Sequence, residues 1–146
     1  MLVRNGQGCI MGKRTAGLIC ALLLAFLLAG CRFIRIEEGE RTPLEYTIVK
    51  QEEIPAEAVE LMEQKKEKVF QMTYMADGVR YLMKGYGQQL TGGYSIQVEE
   101  VSESENAVFC KTKLVGPEER EAGGEPSYPC IVLKIADTKK PVEFEG

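Results

Sequence analysis

The chain has 146 residues, of which 45% are hydrophobic and 27% are charged, as is usual for one globular domain with an additional segment. It contains no histidine, which excludes Ser-His and Cys-His nucleophilic pairs and zinc sites with histidine ligands. The formal net charge of −4 argues against the basic surface with which proteins bind nucleic acid, so no nucleic-acid partner is expected.

The N-terminal segment has the layout of a secretory signal. The basic pair Lys13–Arg14 precedes the apolar run Gly17–Gly30, in the order of the positive and hydrophobic regions of a signal peptide. The run is shorter than the roughly 20 residues that span a bilayer as a helix. We predict a signal peptide at residues 1–30, with a short uncleaved anchor as the alternative. Translation could start at Met1 or at Met11, and both alternatives stay open.

The end of this run resembles the bacterial lipobox. Leu28–Cys31 reads Leu-Ala-Gly-Cys and matches that motif in every position. The resemblance implies cleavage before Cys31 and lipidation of its thiol, with acyl chains such as palmitate. Two or more such chains give stable membrane anchoring. We therefore expect a lipoprotein on the outer face of a bacterial membrane, with residues 31–43 as a tether and residues 44–146 as the folded domain.

The domain is predicted to begin with a short strand and a single helix. Leu44–Val49 is rich in strand-forming residues. Pro55 suits a first helical turn, and Ala56–Lys68 follows with apolar residues at helical spacing. The predicted apolar stripe comprises Ala58, Leu61, Met62 and Val69. Its charged face is interpreted as solvated surface.

The remainder of the chain is predicted to form strands. Phe70–Tyr74 and Val79–Gly85 are typical of a hairpin with a turn at Asp77–Gly78. The next strand has Tyr94, Ile96 and Val98 on one face, and a bulge near Glu99–Glu100 would bring Val101 back into phase. Further strands are expected from Asn106 to Leu114 and from Tyr128 to Ala136, separated by an acidic loop at Glu118–Pro126. The tail Lys139–Phe144 is predicted to add a short edge pairing.

The predicted fold class is therefore α+β. One helix packs on a curved antiparallel sheet of five or six strands, preceded by a lipoprotein signal helix. A domain of this size can bury one core without a cofactor, and none is expected.

Between the third and fourth predicted strands lies a glycine-rich stretch, Gly85–Ile96. It contains Gly85, Gly87, Gly92 and Gly93. Glycine tolerates positive φ, so the pattern predicts a shaped connection of the hairpin kind that presents a rigid aromatic loop with Tyr94. The alternatives are a loop that only connects two strands and a tyrosine that belongs to the core.

Two cysteines remain in the predicted mature domain, Cys110 and Cys130. An exported protein permits a disulfide, but alternation along the strands places the two thiols on opposite sides of the sheet. Both possibilities, a disulfide and two free thiols, stay open. Two separated cysteines are too few ligands for a metal site. The adjacent carboxylates of Glu99–Glu100 and Glu118–Glu119 point to opposite faces in strands, so no convergent catalytic pair is predicted and the chain is not expected to be an enzyme.

Three segments together resemble the C-terminal domain of the PrcB family of protease-complex subunits. They are Gly85–Ile96 with its Thr-Gly-Gly-Tyr, Leu114–Pro117 with its Gly-Pro, and Ser127–Ile135 with its Tyr-Pro. The resemblance covers about residues 79 to 136. It departs at Cys130, where an aromatic residue is common, and at Leu90, where proline is common. It implies a non-catalytic lipoprotein that binds and stabilises a surface protease or protease complex.

The same loop also resembles a loop of chagasin-type cysteine-protease inhibitors, through threonine, glycine and tyrosine in the same order. This resemblance implies a loop that enters a protease cleft. The candidate protein-binding residues are Leu90, Thr91, Gly92, Gly93 and Tyr94. Two alternatives to the protease-subunit interpretation stay open: a chagasin-like inhibitor module, and a structural cell-envelope lipoprotein.

Overall fold

The computed structural model describes residues 39–121 and 123–146. The predicted signal peptide, Cys31 and most of the predicted tether lie outside the described residues. No helix in the described part of the chain is long and apolar enough to cross a membrane.

Within the described residues, the domain has eight strands and one α-helix. The strands are β1 (Thr42–Pro43), β2 (Thr47–Ile48), β3 (Val69–Ala76), β4 (Val79–Tyr86), β5 (Ser95–Glu103), β6 (Val108–Val115), β7 (Cys130–Ala136) and β8 (Val142–Glu145). A short 3-10 turn (Gln51–Glu53) precedes the helix α1 (Ala56–Lys65). The last two residues of the predicted tether thus pair in a sheet as β1, and the predicted tail pairing is present as β8.

The strands form two sheets of four, so the prediction of one sheet with five or six strands was wrong. Sheet A has the order β1-β5-β6-β8 and sheet B has the order β2-β7-β4-β3. The pairing of β6 with β8 is parallel, whereas all strands were expected to be antiparallel. The single-sheet prediction assumed one buried face per strand, but the middle of β4 is buried on both faces, as a strand between two layers must be.

Two apolar layers follow from this architecture. The inter-sheet cluster lies between sheets A and B and comprises Leu82, Val101, Val108, Cys110, Leu133 and Ile135. The helix-side cluster lies between sheet B and α1 and comprises Ala58, Met62, Phe70, Tyr81, Met83 and Val132. Alternate residues of β4 and β7 therefore enter different layers.

The helix ends three residues before the predicted Lys68. Ala58 and Met62 are buried as expected, but Leu61 and Val69 are exposed. Val69 already belongs to β3 and so leaves the helical stripe. Leu61 lies at the margin of the stripe, beyond the face that contacts sheet B.

Two local predictions about the strands are confirmed. The β3–β4 hairpin turns at Asp77 and Gly78, which have φ of 53° and 74°, as a two-residue turn with positive φ requires. The register of β5 against β6 shifts between Val98 and Glu100. That bulge brings Val101 into the inter-sheet cluster.

Candidate functional site

The connection between β4 and β5 passes from sheet B to sheet A and is not a hairpin. We call residues 87–94 the crossing loop. Because β4 and β5 lie in different sheets, the two strands that flank the loop do not pair with each other. It contacts instead residues 116–129, which join β6 to β7 and which we call the facing segment.

Main-chain hydrogen bonds attach the crossing loop to the facing segment. Gln89 and Ser127 exchange two of them, at 2.8 Å from Gln89 N to Ser127 O and 3.0 Å from Ser127 N to Gln89 O. The Ser127 hydroxyl also donates to the Thr91 carbonyl at 2.6 Å. Farther along, Gly92 N–H donates to the Gly123 carbonyl at 3.3 Å. The loop is therefore held on both sides of Leu90.

Gly93 has the backbone conformation that only glycine adopts easily. Its φ is 83°, and a Cβ there would lie 2.7 Å from the Cβ of Pro117 and 3.0 Å from the carbonyl of Glu121. A larger residue would both strain the backbone and push the two segments apart. The glycine is needed for close contact between the crossing loop and the facing segment.

The five predicted binding residues lie together in the crossing loop but differ in exposure. Leu90 is 86% exposed and is the most exposed of the large apolar residues that the structure describes. Thr91, Gly92 and Tyr94 are half-buried, and Gly93 is exposed. The loop thus presents Leu90 most fully, while Tyr94 sits close to Gly116 of the facing segment.

Polar groups at the end of β4 connect the root of the loop to the inter-sheet layer. The Tyr86 hydroxyl and the Thr112 hydroxyl are 2.6 Å apart, and Tyr86 N–H donates to the Pro129 carbonyl at 3.0 Å. Lys84 is buried, and its Nζ donates to the main-chain oxygen of Gly146 at 2.9 Å. Burial lowers the pKa of Lys84.

Sequence analysis missed both Lys84 and Ser127. The predicted apolar face of β4 carried Val79, Tyr81 and Met83, so Lys84 was expected on the solvent face, whereas the structure buries both faces. Ser127 contacts the crossing loop only through long-range pairing, for which the sequence gives no signal.

The facing segment, which the crossing loop contacts, is acidic. The facing segment carries Glu118, Glu119, Glu121 and Glu125, all exposed. Arg120 is its only basic residue and contacts the Glu118 carboxylate at 3.4 Å. Exposed carboxylates therefore lie on the segment that contacts the crossing loop.

Neither thiol is bonded, and both are poor nucleophiles at neutral pH. Cys110 and Cys130 are free. Burial raises the pKa of the Cys110 thiol to about 11, with a small opposing effect of Lys84. Cys130 is exposed as a residue, but partial burial of its thiol against the protein, and then the Glu63 carboxylate, raise the pKa of that thiol. Both thiols therefore remain protonated, whereas reactive cysteines have lowered pKa values.

A groove of about 420 Å³ lies beside α1 at the beginning of β7. Its floor is apolar and includes Met62, Phe70 and Val132, while Glu63 and Cys130 lie among its polar lining residues. No group of three or more acidic or cysteine side chains in residues 39–121 and 123–146 is placed to hold a metal ion.

Comparison with protein families gives one match. A family described as PrcB C-terminal matches residues 80–136, which extend from β4 to the end of β7 and include both the crossing loop and the facing segment. Neither curated proteins nor solved structures gave a match. The matched segment, which contains the two elements that build the candidate site, is similar to the PrcB C-terminal family.

Proposed function

We propose that this protein is a non-catalytic lipoprotein that binds and stabilises a surface protease or protease complex through the crossing loop. The family match supports an accessory domain associated with a protease complex. The observation that carries the binding proposal is Leu90, a large apolar side chain that is almost fully exposed on a loop fixed by hydrogen bonds on both sides.

A rigid loop is well suited to protein recognition. Its backbone loses little conformational entropy on binding, because the pairing with Ser127 and the contact of Gly93 with Pro117 already restrict it. Burial of an exposed leucine side chain contributes about 1.5–3 kcal/mol. Thr91 and Tyr94 are half-buried beside Leu90 and would add contacts at the margin of the interface.

Membrane attachment through Cys31 is part of the same proposal. The lipobox at Leu28–Cys31 supports it, and a short tether keeps the domain close to the bilayer, at roughly 20 Å by the random-coil estimate. A partner on the same surface would then meet the crossing loop at high local concentration. The test is Cys31→Ala, which is expected to abolish acyl labelling and release the protein from the membrane fraction. Retention with unchanged labelling would contradict it.

The binding proposal is tested by affinity isolation of the tagged protein from its native membrane, with mass spectrometry of what co-purifies. We expect a protease in near-equal amount with the wild type and a loss of about tenfold or more with Leu90→Ala. The matched control is Ile48→Ala, which truncates another exposed apolar residue on β2 and should leave the yield unchanged. Equal recovery with Leu90→Ala, in a domain that still folds, would contradict the role of the loop.

The inhibitor alternative is distinguished by assay of the recovered protease. A stabilising subunit raises the amount or the lifetime of the protease, whereas an inhibitor lowers the activity of the purified enzyme. Leu90→Ala should abolish either effect. A wild-type protein that raises the amount or lifetime of the protease is a stabilising subunit, and one that lowers its activity is an inhibitor. A protein that recovers no protease at all would be assigned to the structural lipoproteins.

A further inference from the structure

Three of the four sheet edges are protected against strand addition, and one is not. In sheet A, β1 is two residues long and ends in Pro43, and β8 carries Glu143 and Glu145. In sheet B, β2 is two residues long. Short strands, proline and charge are the devices by which proteins prevent edge-to-edge pairing. The remaining edge is β3.

The β3 edge is long, uncharged and partly apolar. Its eight residues read Val-Phe-Gln-Met-Thr-Tyr-Met-Ala, with no proline, glycine or charge. Val69 is 64% exposed and Met75 is 53% exposed. Within the described residues, no strand pairs with β3 on the side away from β4.

The register shows which main-chain groups of β3 are free for pairing. Tyr86 N–H donates to Pro129 on the β7 side of β4. The N–H and C=O groups of successive residues point to opposite sides of a strand. Met83 and Gly85 therefore direct their N–H and C=O groups to β3, where these residues pair with Met72 and Phe70. The alternate residues of β3 therefore direct their N–H and C=O groups outward. These are Val69, Gln71, Thr73 and Met75.

We propose that this edge pairs with the β3 edge of a second copy of the chain, in an antiparallel arrangement centred on Met72. The two-fold axis passes between the two Met72 residues, so the pairs repeat on both sides. Val69 then lies opposite Met75 of the second copy, and Gln71 lies opposite Thr73. All four outward-directed residues of each copy gain a hydrogen-bonding partner.

The side chains match in this register. Val69 and Met75 are the most exposed apolar residues of β3, and each covers the other on one face of the new pair. On the opposite face, Phe70 lies across from Tyr74 of the second copy, a cross-strand aromatic pair of the kind that stabilises sheets. The dimer joins the two copies of sheet B into one continuous eight-stranded sheet.

The register itself favours the second copy as the occupant, because the same four outward-directed residues meet on both sides of the two-fold axis. At the ends of β3, Lys68 lies one position from Asp77 of the second copy, and Glu67 lies opposite that Asp77. The end charges therefore offset each other, and the pairing rests on the main chain and on the Val69–Met75 contact. A strand pair without a large apolar core buries less surface than a standard stable interface, so this dimer dissociates on dilution.

The test compares two double variants that differ at one position. Gln71→Glu with Thr73→Glu places carboxylates opposite each other across the proposed interface, whereas Gln71→Lys with Thr73→Glu places opposite charges there. Arg80 Nη2 is 3.3 Å from the Thr73 hydroxyl in the wild type. Because both variants carry Thr73→Glu, any new contact of that glutamate with Arg80 is the same in both. Sedimentation equilibrium of the full chain, in density-matched detergent with micelles in excess, measures the dimer dissociation constant.

We expect the double-glutamate variant to dimerise at least about tenfold more weakly than the wild type, and the lysine–glutamate variant to dimerise as well as the wild type or better. Ser95→Glu with Gln97→Glu, at exposed positions of β5, adds the same charge elsewhere and should leave the dimer intact. A wild-type protein that is monomeric at every concentration, or two β3 variants that dimerise equally, would overturn the proposal. These outcomes do not depend on Leu90 or on a protease.

Discussion

The two apolar layers of the domain are packed differently. Every member of the inter-sheet cluster is at most 5% exposed, whereas Met62, Phe70 and Tyr81 in the helix-side cluster are each 8% exposed. The helix-side layer also borders the groove beside α1, and the inter-sheet layer is closed by strands on both faces. We therefore expect truncation in the inter-sheet layer to cost more stability than truncation in the helix-side layer.

This difference bears on the candidate site. The crossing loop is connected to the inter-sheet layer through Tyr86 and Thr112, and it continues into β5, which contributes Val101 to that layer. We therefore expect the root of the loop to be held by the inter-sheet layer and, through the hydrogen bond from Gln88 N–H to the Glu67 carbonyl at 3.2 Å, by the segment that follows α1. The predictions that follow test whether the two layers differ in this way, from the largest expected effect to the smallest.

The largest loss of stability is expected from Leu133→Ala. Leu133 lies in the centre of β7 with its side chain fully buried between the sheets, so truncation leaves a cavity that strands on both sides cannot fill. The free energy of unfolding should fall by about 3–4 kcal/mol. Chemical denaturation of the wild type and variant measures it. A loss close to that of a surface substitution would show that the inter-sheet layer is not tightly packed.

A smaller loss is expected from Met62→Ala on the helix-side layer. Met62 also lines the groove, so its truncation enlarges a space that is already open to solvent and removes fewer contacts. We expect the free energy of unfolding to fall by about 2 kcal/mol, at the low end for a methionine-to-alanine change. The same denaturation measurement applies. A loss equal to that of Leu133→Ala would remove the distinction between the layers.

Strand periodicity predicted the faces of the sheet correctly but not the number of layers. Val79, Tyr81 and Met83 were placed on one face, and all three pack on the helix side. The other face of β4, with Leu82 and Lys84, is also buried. A lysine within that face broke the continuous apolar pattern that marks a strand covered on both sides, so one layer was expected where there are two.

The position of the crossing loop was predictable from the sequence, but the contacts that hold the loop in place were not. The glycines of residues 85–93 marked a shaped loop because positive φ and close approach require that residue type. A connection of this length fits a hairpin as well as a crossing between sheets, and local sequence cannot tell them apart. The attachment to Ser127 and the exposure of Leu90 both depend on long-range pairing, so neither could be read from the loop itself.

Gly85→Ala should disturb the helix-side layer without creating a cavity. Gly85 lies opposite Phe70 in the β3–β4 pair, and a Cβ there would clash with the Phe70 ring. The ring is buried and must shift, which should cost about 1–2 kcal/mol by overpacking. The measurement is denaturation together with the Gly85→Ala, Phe70→Leu double variant. In the Phe70→Leu background, which lacks the ring, Gly85→Ala should cost less than it does in the wild type. An equal cost in both backgrounds would show that the Phe70 ring is not the group that clashes with the added Cβ.

The smallest effect concerns pH and separates the inter-sheet thiol from its neighbours. The Cys110 thiol has its pKa raised from 9.0 to about 11, so between these values the folded protein binds a proton that the unfolded chain has released. The free energy of unfolding therefore keeps its full value below the thiol pKa of the unfolded chain, and it falls as the pH rises from that pKa to the pKa of the folded protein. From about pH 8 to about pH 10, Cys110 should account for a loss of about 1 kcal/mol.

The measurement is the free energy of unfolding of the wild type and Cys110→Ala at several pH values, under reducing conditions. Lys84 works in the opposite direction, because burial lowers its pKa and its cost to the folded state is relieved as the pH rises. The difference between the wild type and Cys110→Ala removes the contribution of Cys130, which is common to the two proteins, and measures Cys110 together with its electrostatic coupling to Lys84. If the difference stays constant with pH, the thiol ionises as freely as in the unfolded chain. The inter-sheet layer would then admit water at Cys110, and the contrast with the helix-side layer would be lost at that point.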